Sequence, residues 1–540
     1  MPRNLTRIFL LTFLFFGGLD LTPQLAQAQR VEVWTSVAKG IAYREFYLDH
    51  PNRIYVARMD RNEAGATLDT GIGMGDFSSG LQTVRGIASL YDQTIGYWDR
   101  QWGTLNHVVV AINGFFYDTE TGIPWSGQVA SGWYAKRFDE RQSGSSLVWT
   151  FDRNIFVGDC VVHPPNRQLV HFPTVGVSLR FDSINLPGED DELIIFTPHY
   201  GDATPPGEDK LDVLVQLERP LMIMPDPAVV KGVVVGMHAG QQGVLIPFDH
   251  IVLRASGKQR EQLEQSVNVG DEVEISQELK HYLPDCKTSN PINWENIYAA
   301  TGASFVFLKE GKVQALNRDL GAVLRSPRTA IAYNDRYIFF MVVDGRDRFR
   351  SLGMSMVELS TFAKMTLGAN WGVAMDGGGS STMVVNGRVV NHPLTDVEEV
   401  TSREFPGTGS TNFTVSLNQS VDLTHSLFNS GSPAFTSNAN QVQEAERAVA
   451  NSWMMISTQP AEWSNRYQNG QEIFVSDSQG LTIRSGPGDH YSQISVVPSQ
   501  SGGLVLAHPL NGVFSRGFYW WKVEFGGVQG WAIENGFASR

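Results

Sequence analysis

Val373-Ala374-Met375-Asp376-Gly377-Gly378-Gly379-Ser380-Ser381-Thr382, running on into Met383-Val384-Val385 and the turn Asn386-Gly387, is the stretch that decides how this chain is read. Two apolar pieces flank three successive glycines. Glycine loses more backbone entropy on ordering than any other residue, and a plain hairpin needs only one or two of them. Three in a row point to backbone N–H groups turned together as an anion nest, or to a ligand brought close against the main chain. Asp376 ends the first strand, a position suited to catalysis. Ser380, Ser381 and Thr382 add hydroxyl donors. No Lys-Ser/Thr follows the glycines and no helix comes after them, so the segment is not a P-loop. A bulged hairpin is the structural alternative.

Outward from this stretch the sequence stays strand-like from about Val31 to Leu417. Short β-branched and aromatic runs recur between Gly, Pro, Asn and Asp: Arg53 to Met59, Val108 to Ile112, Leu193 to Phe196, Val213 to Leu217 and Tyr337 to Val343. Helical spacing is scarce. Thr83 to Tyr91 is one candidate, and Ser355 to Leu367 is a better one, with Met356, Leu359, Phe362, Ala363 and Leu367 near helical period. The pattern predicts an α+β domain built on a large mixed sheet or sheets.

Two further segments carry chemistry. Ala111-Ile112-Asn113-Gly114-Phe115-Phe116 closes an apolar strand on an Asn-Gly turn, where the Asn113 amide meets a ligand or caps its own backbone. Ser326-Pro327-Arg328-Thr329-Ala330-Ile331 leads to the strand Tyr337 to Val343 and then to Asp344-Gly345-Arg346. Two arginines at strand ends beside an aspartate are unusual on an apolar sheet. A guanidinium is the natural clamp for a phosphate or carboxylate; an internal Arg–Asp ion pair is the alternative.

The chain ends bound the compartment and the domain count. Arg3 and Arg7 precede an apolar stretch from Ile8 to Phe16 and the small-residue run Ala26-Gln27-Ala28, the order of a secretory signal over residues 1–28. No later segment has the roughly 18 apolar residues of a membrane span. A secreted or periplasmic protein is expected. The formal net charge of −14 argues against nucleic acid as a partner, and requires any anion site to concentrate its arginines locally. Two cysteines, Cys160 and Cys286, either pair in an oxidising compartment or remain separate buried thiols. They exclude a cysteine-based zinc site, and the histidines show no HExxH spacing. No cofactor is required. A structural Ca²⁺ on main-chain oxygens and scattered aspartates is allowed, without EF-hand-like spacing to support it.

About 510 residues after the signal imply at least two domains. Asn429 to Asn440 has linker composition, and Gln441 to Trp453 reads as a short helix after it. From about residue 471 a compact β module runs to the C-terminus. Its Leu481-Thr482-Ile483-Arg484-Ser485-Gly486-Pro487-Gly488 and Gly530-Trp531 resemble the first strand and closing strand of a bacterial SH3-type domain. That resemblance implies a small all-β barrel which binds cell-wall peptides or glycans, or serves as a structural cap. The expected division is signal 1–28, large domain 29–425, linker 426–470 and β module 471–540.

The chain from about Gly40 to Leu417 resembles the phosphodiester glycosidase family. The ordered strings "AINGFF", "SPRTAIAY", "VVDGR" and "MDGGGSSTMVVNG" carry the likeness, with "GIAYREF", "SINLPGEDDELIIFTPHYG" and "ATGASFVFLKEGK" in support. Two positions depart from the family pattern: Ser326 stands where a histidine is usual, and Gly302-Ala303 where a Gly-Gly pair is usual. The resemblance implies hydrolysis of a sugar-1-phosphodiester, a phosphate-linked glycan, at the anomeric carbon. On that basis Arg328 and Arg346, with the N–H groups of Gly377, Gly378 and Gly379, are expected to hold the phosphate. Asp376 or Asp344 is expected to stabilise the cationic carbon or activate water. Asn113 and Asn185 are expected to contact the sugar, with Thr329, Gly345, Ser380, Ser381 and Thr382 lining the site. A non-catalytic glycan or cell-wall binding protein acting through its β module is the competing class.

Overall fold

The computed structural model describes residues 33–48, 51–138, 145–158, 161–162, 168–186, 188, 190–220, 229–240, 242–276, 280–281, 296–316, 319–394 and 446–540. The expected signal sequence, Cys160, Cys286 and the linker-like stretch Asn429 to Asn440 lie outside these residues. Thr35–Arg540 forms one body. It is sheet-dominated α+β, with few helices.

The quoted stretch does not fold back as a hairpin. Trp371–Ala374 belongs to an eight-stranded antiparallel sheet, between Arg328–Tyr333 and Val306–Lys309. Its neighbours on the far side of Arg328–Tyr333 are Tyr337–Val343, Asn52–Asp60, Ile41–Leu48 and Thr35–Ala38. Met383–Val385 belongs to a different, five-stranded sheet, where it pairs with His107–Asn113. The glycine run is therefore a crossover between two sheets. The apolar faces of both meet in one core that includes Ala57, Val110, Ile112, Ile331, Val373, Met383 and Trp453.

The second sheet has the order Arg388–Val389, Met383–Val385, His107–Asn113, Asn451–Ser457, Ala66–Ile72. Asn451–Ser457 lies in the span read as linker, and its first three residues fall in Gln441 to Trp453, the stretch read as a helix. It is instead a strand inserted between two strands from the start of the chain, with Trp453 facing Ile112 and Thr70. Asn451 to Ile456 are all buried. A run buried on both faces shows no period-2 alternation, so periodicity cannot separate it from a helix. Trp453, fully buried, donates its indole N–H to Thr301 Oγ1 at 2.8 Å.

Two more sheets complete the large body. One pairs Ser145–Thr150 with Ile297–Ala303. The other, of eight strands, centres on Lys210–Leu217, flanked by Val229–Ala239 and His250–Ser256. The expected helices form at Val84–Tyr91 and Met356–Met365. The second starts from a capping box in which Ser355 and Glu358 satisfy each other's backbone N–H. Gly257–Ser266 is a helix that the sequence reading missed, because Leu263 is its one buried residue and leaves no apolar stripe to detect.

From Glu472 to the C-terminus the strands form one antiparallel sheet, in the order Gln493–Val497, Leu481–Arg484, Val528–Ile533, Phe518–Phe525, Gly502–Val505, Glu472–Val475, Phe537–Ser539. It packs on the large body. Ile95 and Phe248 join Leu510, Val513, Trp520 and Trp531 in one apolar cluster. Beside it the buried Asp249 carboxylate meets His250 Nδ1 at 2.8 Å, His508 Nε2 at 3.0 Å and Lys522 Nζ at 3.6 Å. These hydrogen bonds and the Lys522 charge hold Asp249 well below the usual carboxylate range, against the effect of burial. Among the described residues no helix is long and apolar enough to cross a membrane.

Replacing Trp453 with Ala empties a large volume at the centre of the second sheet and removes the indole donor from Thr301 Oγ1, which keeps its bond to Gly302 O. A loss of about 3–5 kcal/mol is expected, read as a lower denaturant midpoint in chemical unfolding.

Candidate functional site

The site is assembled where the two sheets exchange the glycine crossover. Asn113 ends its strand fully buried, and its amide is spent within the protein. Nδ2 donates to the Asp376 carbonyl at 2.7 Å, while Oδ1 accepts from Thr329 Oγ1 at 2.7 Å and from the Thr382 N–H at 3.2 Å. The Asp376 N–H donates to Gly114 O at 2.9 Å, and the Met375 N–H to Thr329 O at 2.9 Å. The three expected motifs therefore converge. Asn113 and Thr329 act inside the scaffold, as the staple that fixes the crossover.

Asp376 is buried, and burial pushes its carboxyl up to about 6. Hydrogen bonds from the Ser380 side chain and the Gly377 N–H, together with the nearby Arg447 charge, oppose that rise. Arg447 Nη1 donates to Ser380 Oγ at 3.2 Å. Sequence reasoning missed Arg447. It lies some seventy residues beyond Asp376, after a linker-like stretch, with no local signal of its own. Asn451, from the same segment, accepts the Phe115 N–H at 2.7 Å on Oδ1. A Cβ on Gly114 would stand 1.9 Å from that oxygen, so position 114 must be glycine while Asn451 is there.

The glycines do not present three free N–H groups. Gly377 donates to Asp376, Gly378 donates to Pro327 O at 3.0 Å, and Gly378–Ser380 closes a short 3-10 turn. The expected nest is thus partly consumed by the crossover itself. Gly378 sits at φ +63°, and a Cβ there would lie 3.2 Å from Arg346 Nη2. The Arg346 guanidinium therefore covers the turn. Ser381 Oγ, Thr382 Oγ1 and Asn451 Nδ2 are buried here without a hydrogen-bond partner among the described residues, an arrangement native structures rarely tolerate away from ligand or water.

The two arginines and two aspartates have diverged in role. Arg328 is buried, with Nε on Met354 O at 2.8 Å and Nη2 on Gly321 O at 2.7 Å and Leu324 O at 2.6 Å. Burial lowers it to about 10. It clamps three carbonyls through Nε and Nη2, and no hydrogen bond holds Nη1 among the described residues. Arg346 is exposed, in the left-handed region at φ +63°, a conformation costing about 1 kcal/mol. Gly345 before it packs so closely that a Cβ would stand 2.6 Å from Pro327 N. Asp344 is buried and engaged on both oxygens. Oδ2 accepts from Tyr55 at 3.0 Å, and Oδ1 accepts from Asn391 Nδ2 at 3.1 Å and the His392 N–H at 2.9 Å. Burial raises its pKa despite these bonds. Asn391 also donates to Ser381 O at 2.9 Å, tying Asp344 to the crossover.

Asn185 is not part of this cluster. Its amide is buried on Ala135 O, Thr197 Oγ1 and the Thr197 N–H, at 2.7–2.8 Å. It sits at φ +56°, a conformation asparagine adopts more readily than most residues. Ser326 pairs through its backbone with Met354. Gly302 lies under Phe115, whose ring would be 2.7 Å from a Cβ. Among the described residues no group of three or more His, Cys, Asp or Glu side chains gathers to hold a metal ion.

Comparison with known proteins finds a partial family match. The model for phosphodiester glycosidases matches residues 227–408, about a third of the chain. That span contains Arg328, Asp344, Arg346 and Asp376, and excludes Asn113 and Arg447. No curated protein matches. Among solved structures, a Synechocystis protein aligns at 14% identity over 78% of this chain with a TM-score of 0.47, and this chain spans 62% of its length. A Burkholderia pseudomallei protein aligns at 17% identity over 75% of this chain and 74% of its own, with a TM-score of 0.45. The catalytic domain of zebrafish N-acetylglucosamine-1-phosphodiester alpha-N-acetylglucosaminidase aligns at 11% identity over 65% of this chain and 75% of its own, with a TM-score of 0.31.

The raised Asp376 pKa sets a stability signature. The folded value of about 6 lies above the 3.8 of a free aspartate. Burial of the carboxylate therefore costs stability in full above about pH 6, and the cost disappears as pH falls toward 4. Asp376→Asn removes this ionisation. Its melting temperature relative to the parent should be higher at pH 7.5 than at pH 4, and an offset independent of pH would contradict the assignment.

Proposed function

We propose that the protein is an exported glycosidase which hydrolyses the bond between a sugar's anomeric carbon and a phosphodiester, releasing the free sugar and a phosphomonoester. The observation that carries the reading is a buried, proton-poised Asp376 on the same glycine turn that the exposed Arg346 covers. The glycosidase-family match over residues 227–408 supports it.

An ordinary glycosidase must protonate a poor alkoxide leaving group, hence its paired acids. A phosphate monoester, with a second pKa of about 6, leaves as an anion that needs charge neutralisation more than a proton. In this scheme Arg346 and the Gly379 N–H receive the phosphate. The C1–O bond breaks, and its electron pair goes to the phosphate oxygen. Asp376, as carboxylate, faces the electron-poor carbon and takes the proton of the water that adds there. Arg447 acts through Ser380 to hold Asp376 ionised near neutral pH. Asp344 serves as a positioning group, since both its oxygens are engaged, and Arg328 anchors the loop carbonyls through Nε and Nη2. Residues 29–425, together with the strand Asn451–Ser457, make the catalytic body.

Residues 471–540, with their SH3-type sequence, are proposed as a fixed part of this body. A glycan-binding role for them would want an open aromatic platform, yet Trp520, Trp521 and Trp531 are all buried. Export rests on the N-terminal signal pattern.

Turnover of an N-acetylglucosamine-1-phosphodiester by the purified protein tests the reading directly. Arg346→Ala should lower kcat/KM by about 10²-fold or more, the scale for removing one charge-stabilising donor. Activity should rise with pH through an acid limb near 6. Arg447→Met removes a charge that lowers the Asp376 pKa, so its acid limb should move to higher pH. Full turnover by Arg346→Ala, or an unmoved limb in Arg447→Met, would remove the scheme.

A further inference from the structure

We propose that the loop Asp344–Ser351, with the strand end beside it, forms a subsite for a second anionic group carried on the leaving half of the substrate. The inference rests on the phosphodiester reading of the Asp376 site and names what that site selects.

The chain carries a net charge of −14, yet Arg53, Arg346, Arg348, Arg350 and His392 gather around this one loop. The loop base is pinned to the first sheet. The Asp344 N–H donates to Arg53 O at 3.1 Å, the Arg53 N–H donates to Ser351 Oγ at 3.1 Å, and Ser351 Oγ donates to Asp344 O at 2.6 Å. The acids within the loop accept hydrogen bonds from the protein, Asp347 on one oxygen, and the Asp347 charge also acts on Arg350 and His392. Asp344 lies beneath it with three donors, and Asp347 Oδ1 accepts the N–H groups of Phe349 and Arg350 at 2.9 and 3.1 Å. Among the described residues Glu45, also near the loop, accepts from the Tyr43 and Tyr47 hydroxyls. Arg350 is only loosely engaged. Its Nη2 is 3.4 Å from the Tyr55 hydroxyl, and its Nε is 3.9 Å from Asp344 Oδ2. That Nε is buried with no hydrogen-bond partner among the described residues. A guanidinium held this way keeps donors for an incoming anion, and an anion there is worth more than at a fully solvated lysine.

The loop also has the reach. At its start Arg346 covers Gly378; at its end Arg350 and Arg53 flank His392. A diester whose first phosphate sits under Arg346 extends its leaving half along the loop toward Arg350. Two exposed aromatic rings border that path: Phe349, 77% exposed and stacked by Arg348 at 4.6 Å, and Tyr47, 60% exposed and stacked by Arg53 at 5.2 Å. Large exposed aromatics beside cations are costly to leave in water and are typical of binding rims.

Two diesters of N-acetylglucosamine 1-phosphate decide the matter, one with a methyl leaving half and one with a 2-phosphoethyl leaving half. The phosphoethyl diester should show a KM lower by about tenfold, the value of one charge-assisted hydrogen bond. Arg350→Ala should abolish that preference while changing the methyl diester less than twofold. Phe349→Ala and Arg53→Ala should each reduce it. Equal effects of Arg350→Ala on both diesters would show a merely structural brace and overturn the subsite. If neither diester is turned over, the phosphodiester reading fails separately, and calorimetry with ethylene glycol bisphosphate against ethyl phosphate still reads the subsite. Tighter binding of the bisphosphate, lost in Arg350→Ala, supports it; equal or absent binding overturns it.

Discussion

The architecture of the site depends on one buried amide. Asn113 ties the Asp376 carbonyl, the Thr329 hydroxyl and the Thr382 N–H together. Each partner belongs to a different segment: the end of one strand, the start of another in the first sheet, and the entry into the second sheet. A crossover of three glycines has no side chains to hold it, so its geometry must come from hydrogen bonds to its backbone. An unsatisfied amide at full burial would cost about 1–3 kcal/mol per lost partner, which makes the staple all-or-none. Asn391 repeats the device from the other side, joining Asp344, Ser381 O and the Met383 N–H.

This scaffold separates residues of the same type into different chemistry. Asp344 and Asp376 are both buried, and burial raises both. Asp344 has both oxygens claimed by protein donors, so its charge is part of the frame. Asp376 is met by Ser380 and Gly377 with Arg447 behind, and in the proposed scheme it faces the substrate. Arg328 is turned onto three carbonyls, while Arg346 remains at the surface above Gly378. The sequence motif gives each pair equal standing, and packing alone distinguishes their members.

The same logic reaches the C-terminal sheet. Asp249, from the large body, receives donors from His508 and Lys522 of that sheet as well as from its neighbour His250. A buried carboxylate satisfied from two parts of the chain couples them, because separating the parts would strand a charge in a desolvated site. The surrounding cluster of Phe248, Trp520 and Trp531 excludes water from the contact.

Much of this was legible in the residues themselves. Strands such as Tyr337–Val343 and Leu193–Phe196 and the capped helix from Ser355 follow from local rules, since propensity and caps act within a few residues. The sequence also identified Asn113, but left open whether its amide meets a ligand or the backbone. What only the tertiary structure decided was non-local. The glycine run crosses between sheets, Asn451–Ser457 completes the second sheet from a distant part of the chain, and Arg447 arrives beside Ser380 with it. Asp376, met first as an acid before an odd glycine run, gains its raised pKa only there. Desolvation and charge depend on what the fold places within a few ångströms, and no spacing along the chain encodes that.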